Sequence, residues 1–80
     1  METTASHISI RLATEADNTN LIRLAALDSA AAPNGSVLVA DVGGEILAAR
    51  SLSKARSIAD PFQPTADIRE LLELRARQAA

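Results

Sequence analysis

Side chains able to act as a base, a nucleophile or a metal ligand are scarce in this 80-residue chain. It has one histidine, His7, and no cysteine. A general base needs an orienting partner and a pocket, and His7 falls on the polar side of an alternating segment, so we favour a solvated imidazole. No His, Asp and Glu residues recur at the spacing of metal ligands. The sequence therefore predicts no catalytic residue and no metal site.

Asp28 and Arg75 are charged residues in positions where a partner is expected. Each falls within the apolar stripe of a predicted helix, and a buried charge needs an opposite charge or hydrogen bonds. Three interpretations stay open: the two residues line a pocket or an interface, they form a structural salt bridge with each other, or both lie in the last helical turns and reach solvent. We favour the last.

Two smaller charged groups flank predicted turns. Asp41 and Glu45 could act as paired carboxylates, but charges at the end of a hairpin usually serve solubility, which we favour. Arg50, Lys54 and Arg56 could meet a phosphate or an acidic partner. Three positive charges in an acidic chain are weak evidence for that role, so we favour a solvated turn.

The elements that would position these residues are organised around a predicted β-hairpin at Ser36–Leu52. Two apolar runs meet at Gly43-Gly44, and glycine supplies the positive φ angles of a tight hairpin turn. Both faces of the hairpin are largely apolar, so we expect cover on both sides, or on one side by a partner chain. Strict alternation predicts two faces for the second strand, with Ile46 and Ala48 on one and Leu47 and Ala49 on the other.

Four further segments complete the predicted fold. His7–Leu12 alternates like a half-buried strand near a sheet edge, and Arg56–Ala59 is predicted as a short strand. Thr14 is the N-cap candidate of a helix to about Ser29, and Thr65 that of a helix to about Gln78. We therefore predict one α+β domain over residues 1–80, with a four-stranded, largely antiparallel sheet and two helices in the order β-α-β-β-β-α. Residues 1–6 are expected to be a disordered tail.

Composition argues against several kinds of partner. The net charge is −2, and the chain has one phenylalanine and no tryptophan or tyrosine, so neither a nucleic-acid surface nor an anionic-membrane surface is indicated. No apolar run reaches the roughly 20 residues of a membrane span. The absence of cysteine fits a reducing compartment, and we expect a cytoplasmic protein.

Three segments, in this order, resemble the N-terminal half of N-acetyltransferases of the GNAT family. They are Ile10–Asp17, with the pattern I-R-L-A-T-x-x-D, then Leu24–Asp28, L-A-A-L-D, and Val37–Ala49, V-L-V-A-D-V-G-G-E-I-L-A-A. The family opens with a similar I-R-x-A-T-x-x-D strand and helix and continues with a V-A-E-x-D-G-x-I-V-G hairpin. The resemblance spans residues 8–60 and implies the first half of a GNAT fold.

The sequence departs from the family where acetyl-CoA is bound. There the family has a Gln/Arg-x-x-Gly-x-Gly/Ala loop after the fourth strand, whose backbone N–H groups hold the pyrophosphate at a helix N-terminus. The corresponding segment, Asp60–Thr65, has no glycine, two prolines without N–H groups, and a negative charge at Asp60. The 80 residues also hold no counterpart of the family's fifth strand. No catalytic or cofactor residue can be carried over, and we expect no cofactor.

These observations favour a non-catalytic, GNAT-like protein-interaction module that self-associates or docks on another protein. A half-GNAT fold would leave an open edge and an uncovered apolar sheet face, which invite pairing and mark contacts. The alternative is an acyl-CoA-binding or N-acetyltransferase-like protein, with acetyl-CoA as ligand, completed by a second subunit. The residues of the predicted edge are Arg56, Ser57, Ile58 and Ala59.

Overall fold

The computed structural model describes residues 8–28, 31–33, 35–54 and 56–79. Its elements, in chain order, are strand β1 (Ile8–Leu12), a 3₁₀ turn (Glu15–Asp17), helix α1 (Asn18–Leu27), strands β2 (Val37–Val42), β3 (Glu45–Ser51) and β4 (Ser57–Ala59), and helix α2 (Ala66–Ala79). The predictions about His7 and about a tail at residues 1–6 lie outside the described residues.

The four strands form one antiparallel sheet in the order β1-β2-β3-β4. This arrangement, with its two helices, confirms the predicted α+β fold class. Strands β1 and β4 are the edges. The last strand is one residue shorter than predicted, because Arg56 precedes it as an exposed residue.

One helix covers each face of the sheet. Successive side chains of a strand point to opposite faces, so the inner strands contribute to two separate cores. The expected cover on both sides is confirmed, and the expected uncovered apolar face is wrong, because α2 packs on it. The buried residues on the α1 side are Leu21, Leu24, Ala25, Val37, Val39, Ile46, Ala49 and Ile58. Those on the α2 side are Leu38, Ala40, Ala48, Ala59, Ile68, Leu72 and Ala76.

A β-bulge in β3 reverses the predicted alternation of that strand. The register with β2 skips Leu47, which has no partner between Ala48 and Ile46. Ile46 therefore lies with Ala49 in the core on the α1 side, while Leu47 packs beside Ala48 on the α2 side. The predicted faces of this strand are wrong, because the one extra residue of the bulge moves the side chains on one side of it to the opposite face of the sheet.

The hairpin turn has the predicted chemistry. Gly43 and Gly44 have φ angles of 62° and 92°, in the left-handed region that other residues rarely adopt. The Asp41 carboxylate accepts the Gly44 N–H at 2.8 Å across this turn. The turn therefore joins β2 to β3 without strain at either glycine.

The buried residues of both helices fall on the predicted apolar stripes, but Leu71, on the predicted stripe of α2, is 40% exposed. In α1 the buried residues are Leu21, Leu24 and Ala25; the helix begins later than predicted because a 3₁₀ turn precedes it. Helix α2 starts one residue after Thr65, as predicted to within a residue at each end. In the described ranges no helix combines the length and the apolar character needed to cross a membrane.

Candidate functional site: the edges of the sheet

Among the described residues, the backbone groups on the outer side of β1 have no strand partner. The Ala13 N–H donates to the Val37 carbonyl at 2.8 Å, which fixes the hydrogen-bonding phase between β1 and β2. Directly bonded pairs alternate along antiparallel strands. The backbone N–H and C=O groups of Arg11 and Ser9, two and four residues before Ala13, therefore also point towards β2. No strand of the described part of the chain lies on the outer side. The N–H and C=O groups that point to that side belong to Ile8, Ile10 and Leu12.

Apolar side chains lie along the same edge. Ile8 and Leu12 are 40% and 57% exposed, and Ile10 is half-buried against the core on the α2 side. Leu71 of α2 is 40% exposed. It lies on the flank of the helix opposite to Glu73, which contacts β3, and therefore faces β1. Single exposed apolar residues are ordinary, but these adjoin the outward backbone groups of β1, which have no strand partner among the described residues.

The outer side of β4 is partly closed by α1. The Ser51 N–H donates to the Arg56 carbonyl at 2.8 Å, and the Asp60 N–H donates to the Leu47 carbonyl at 2.9 Å. Because the residues of an antiparallel strand point their backbone groups alternately towards and away from the partner strand, the N–H of Ala59, next to Asp60, points away from β3. That N–H donates to the Asp28 carboxylate at 3.1 Å. The side chains of β4 are also turned inward, since Ile58 and Ala59 are buried. This edge offers fewer open groups than β1.

Asp28 and Arg75, which the sequence placed in apolar stripes, are not brought together. Asp28 ends α1 on one side of the sheet, while Arg75 is an exposed residue of α2 on the other side. The salt bridge between them that was left open is therefore not formed. The partner of Asp28 is instead a backbone N–H of β4.

The largest ionic group of the described residues joins β1 to the segment before α1. The Arg11 guanidinium donates to both carboxylate oxygens of Asp17, at 2.8 and 3.1 Å, and to Asp41 at 3.2 Å. Asp17 also accepts the Thr14 N–H at 2.7 Å. The hydrogen bonds from Arg11 and then from Thr14 hold the pKa of the buried Asp17 well below its usual range, and the two carboxylates raise the pKa of Arg11. These are residues of the I-R-x-A-T-x-x-D pattern, and here they connect β1 to the turn before α1.

The two smaller charged groups are separated in the structure. Asp41 uses its carboxylate on Arg11 and on the turn, and Glu45 is exposed, so they do not form a carboxylate pair. Arg50 points to the α2 side, where its Nε and Nη2 donate to the two oxygens of Glu73, both at 3.1 Å. Arg50 is thereby taken out of the predicted basic cluster.

Lys54 and Arg56, in the segment between β3 and β4, are exposed. They line a pocket of about 140 Å³ together with Pro33 and Ile58. A wider groove of about 570 Å³ runs between β4 and the outer flank of α2. Its charges have both signs, from Arg69, Glu70, Glu73 and Arg77, so it shows no preference for an anion or a cation.

Two backbone donors of the turn from β4 to α2 are bonded within the turn. The Asp60 carboxylate accepts the Phe62 N–H at 2.8 Å, and the Asp60 carbonyl accepts the Gln63 N–H at 3.3 Å. Pro61 and Pro64 have no N–H to offer. The described residues also hold no group of three or more His, Cys, Asp or Glu side chains able to bind a metal ion.

Comparison with known proteins identifies no relative. No family model matches the chain, and neither the curated proteins nor the solved structures contain a match. The GNAT resemblance thus stays a prediction from the sequence. The site must be interpreted from its own geometry.

Sequence reasoning missed two features of the site. It gave Arg11 no role, although an arginine on the polar face of a strand, six residues before an acidic helix start, is a signal for this kind of ion pair. It also did not recognise β1 as the edge with more open backbone groups among the described residues, while its contact edge at Arg56–Ala59 stays a prediction. The alternation of His7–Leu12 indicated a strand near an edge, but only the hydrogen-bonding phase shows which backbone groups are open.

Proposed function

We propose that this domain is a non-catalytic, GNAT-like protein-interaction module that self-associates by extending its sheet. One observation carries the proposal: β1 is a five-residue edge strand with outward backbone groups and exposed apolar side chains at Ile8 and Leu12. Proteins that stay monomeric usually protect such an edge with a charge, a proline, a bulge or a covering segment. The only charged side chain of β1, Arg11, is held by Asp17 and Asp41.

The contact is placed at β1 rather than at Arg56–Ala59. The β4 strand has three residues, and the Asp28 carboxylate already occupies the N–H of Ala59. Short edges and edges blocked by side chains pair poorly with another strand. Strand β4 therefore remains the secondary candidate for a contact.

The turn after β4 supports a role without acyl-CoA. A pyrophosphate requires free backbone N–H groups in the loop and at the helix N-terminus. In the loop before α2, the N–H groups of Phe62 and Gln63 are bonded to Asp60. A carboxylate at this place would also repel a phosphate. Thermal unfolding with excess acetyl-CoA tests the alternative, because a ligand at 100 times its Kd adds about 2.7 kcal/mol. We expect no shift, and a rise on the order of ten degrees would favour the acyl-CoA function.

Light scattering over a wide concentration range tests the proposed function itself. We expect the mass to rise from that of one chain to that of two. The Leu12→Lys variant, which places a charge on the exposed edge, should remain a monomer at concentrations where the original chain is dimeric. The matched control is Ile22→Lys, since Ile22 is 63% exposed on α1, a helix that packs against β3 and β4. A stable monomer at every concentration would contradict the proposal.

The composition supports one further proposal, a cytoplasmic location. A chain with no cysteine needs no oxidising compartment for its fold. Fractionation of cells that express the tagged chain tests this, and recovery outside the cytoplasm would contradict it.

A further inference from the structure

We infer that β1 pairs antiparallel with β1 of a second copy, in the register that places Ile10 opposite Ile10 of the other copy. The inference rests on the proposed function and specifies its partner and geometry. A two-fold axis through the sheet at Ile10 would join two four-stranded sheets into one. Such an isologous contact closes on itself and yields a dimer rather than a filament.

The hydrogen-bonding phase selects this register. In an antiparallel pair the outward groups of one strand must meet the outward groups of the other. With Ile10 on the axis, Ile8 of one copy meets Leu12 of the other, so every outward N–H and C=O of the five-residue strand finds a partner. A shift by one residue would place outward groups opposite inward ones. A shift by two would leave one end of each strand unpaired.

The side chains agree with the same register. On the α2 side, the cross-strand pairs are Ile8 with Leu12 and Ile10 with itself, all apolar, and such pairs stabilise a sheet. On the α1 side, Ser9 faces Arg11, so the two arginines are not directly opposite each other. Each Arg11 is also neutralised by Asp17 and Asp41 of its own chain. Like charges directly opposite would have been unfavourable.

The position of α2 supports this contact. A two-fold axis perpendicular to the sheet keeps both α2 helices on the same face. Leu71 lies on the flank of α2 that faces β1 and is 40% exposed, so the two copies bring Leu71 towards the shared seam. The Leu12 carbonyl receives a contact of 3.4 Å from Arg11, and its second lone pair stays open for the neighbouring strand.

Hydrogen exchange of the unmodified chain tests the inference without a substitution. At a concentration where nine-tenths of the chains are dimeric, the amides of Ile8, Ile10 and Leu12 should exchange about tenfold more slowly than in the monomer, because exchange then requires dissociation. The amides of Ser9 and Arg11, already bonded to β2, serve as internal references. Protection of Ser57 in β4 instead would overturn the inference.

Disulfide scanning tests the register. Because the chain has no native cysteine, only the introduced cysteines can form a disulfide. In the inferred register the two Ile10 Cα atoms lie about 5.5 Å apart, within the range of a disulfide. Two Ser9 Cα atoms lie about 8 Å apart, outside it. Ile10→Cys should therefore form a covalent dimer under mild oxidation, whereas Ser9→Cys and Leu12→Cys should not.

The outcomes separate the two proposals. If the chain is dimeric by light scattering but Ile10→Cys does not cross-link, or Ser9→Cys cross-links better, the inference is wrong while self-association stands. If the chain is monomeric at every concentration, both are wrong. Circular dichroism and thermal unfolding of each cysteine variant exclude misfolding as the cause of a negative result, and hydrogen exchange of the original chain then decides.

Discussion

The carboxylate of Asp28, at the end of α1, accepts the backbone N–H of Ala59 in the edge strand β4 at 3.1 Å. The two residues are 31 positions apart, so this bond connects the first helix with the last strand. It also fills a backbone position that a further strand would need. One edge of the sheet is thus partly closed by a side chain, while the other edge, β1, has no further strand beside it in the described part of the chain.

Removal of this bond should loosen β4. We expect Asp28→Ala to lower the free energy of unfolding by about 1–2 kcal/mol, because the N–H of Ala59 loses a charged acceptor. Its amide should also exchange faster with solvent, as measured by NMR. Asp28→Asn keeps an acceptor oxygen and should cost less. Glu45→Ala, which removes an exposed carboxylate elsewhere, is the control. Unchanged exchange at Ala59 in Asp28→Ala would contradict this role.

The ion pair of Arg11 and Asp17 predicts a dependence of stability on pH. Folding lowers the pKa of Asp17, first through Arg11 and then through Thr14. The unfolded value is about 3.9. The carboxylate therefore stabilises the fold fully above that value, and its contribution falls as the pH drops towards and through the lower folded-state pKa.

Urea unfolding of Asp17→Asn against the original chain measures this contribution. At pH 6 we expect the variant to be less stable by about 2 kcal/mol, since it leaves Arg11 without its bidentate partner. At pH 3 the difference should shrink. Thr14→Val, which keeps the carboxylate and the backbone N–H, should follow the original chain. A difference that stays constant between pH 6 and pH 3 would show that the charge of Asp17 is not what stabilises the fold.

The elements could be predicted from the sequence because local patterns determine them. The alternation of Ile8–Leu12, the two glycines of the hairpin turn and the stripes of α1 and α2 each depend on residues within a few positions of one another. Asp28 was also recognised as a charge in an apolar stripe. Its partner could not be predicted, because the bond depends on how α1 docks beside β4.

The bulge at Leu47 could not be predicted for a different reason. The residues Ile46, Leu47, Ala48 and Ala49 are all apolar, so either phase of the strand buries apolar side chains on both faces. The register is then decided by the opposite strand and the turn. The same limit applies to the open edge, since an alternating pattern does not say which side of a strand is paired.

The glycine turn predicts a contrast between two substitutions at Gly43. Its φ of 62° lies in the left-handed region, where a β-branched residue costs about 1–2 kcal/mol and asparagine is tolerated. We expect Gly43→Val to lower the free energy of unfolding by that amount and Gly43→Asn to be close to neutral. Apart from Gly43 and its two neighbours in the chain, no heavy atom of the described residues lies within 4 Å of a Cβ added there, so a clash with a residue elsewhere in the fold would not explain the loss. Equal stability of the two variants would contradict the assigned turn.

We expect the ion pair of Arg50 and Glu73 to stabilise the packing of α2 on β3. Arg50 has a side chain that is 13% exposed and Glu73 one that is 43% exposed, and Arg50 lowers the pKa of Glu73 through hydrogen bonds. Two parallel N–H donors give the guanidinium a fit that a lysine cannot copy. Arg50→Lys should therefore destabilise the fold although it keeps the charge.

A double-mutant cycle of Arg50→Lys and Glu73→Gln measures the coupling, which we expect to be about 1 kcal/mol at low salt and smaller at high salt, since Glu73 is partly exposed. The matched control is a cycle of Arg50→Lys with Glu70→Gln, because Glu70 lies in the same groove but is not hydrogen-bonded to Arg50. That coupling should fall within about 0.3–0.5 kcal/mol of zero. Equal couplings in the two cycles would mean that Arg50 responds to the overall charge of α2 rather than to Glu73, and the bidentate pair would then not be what holds α2 on the sheet.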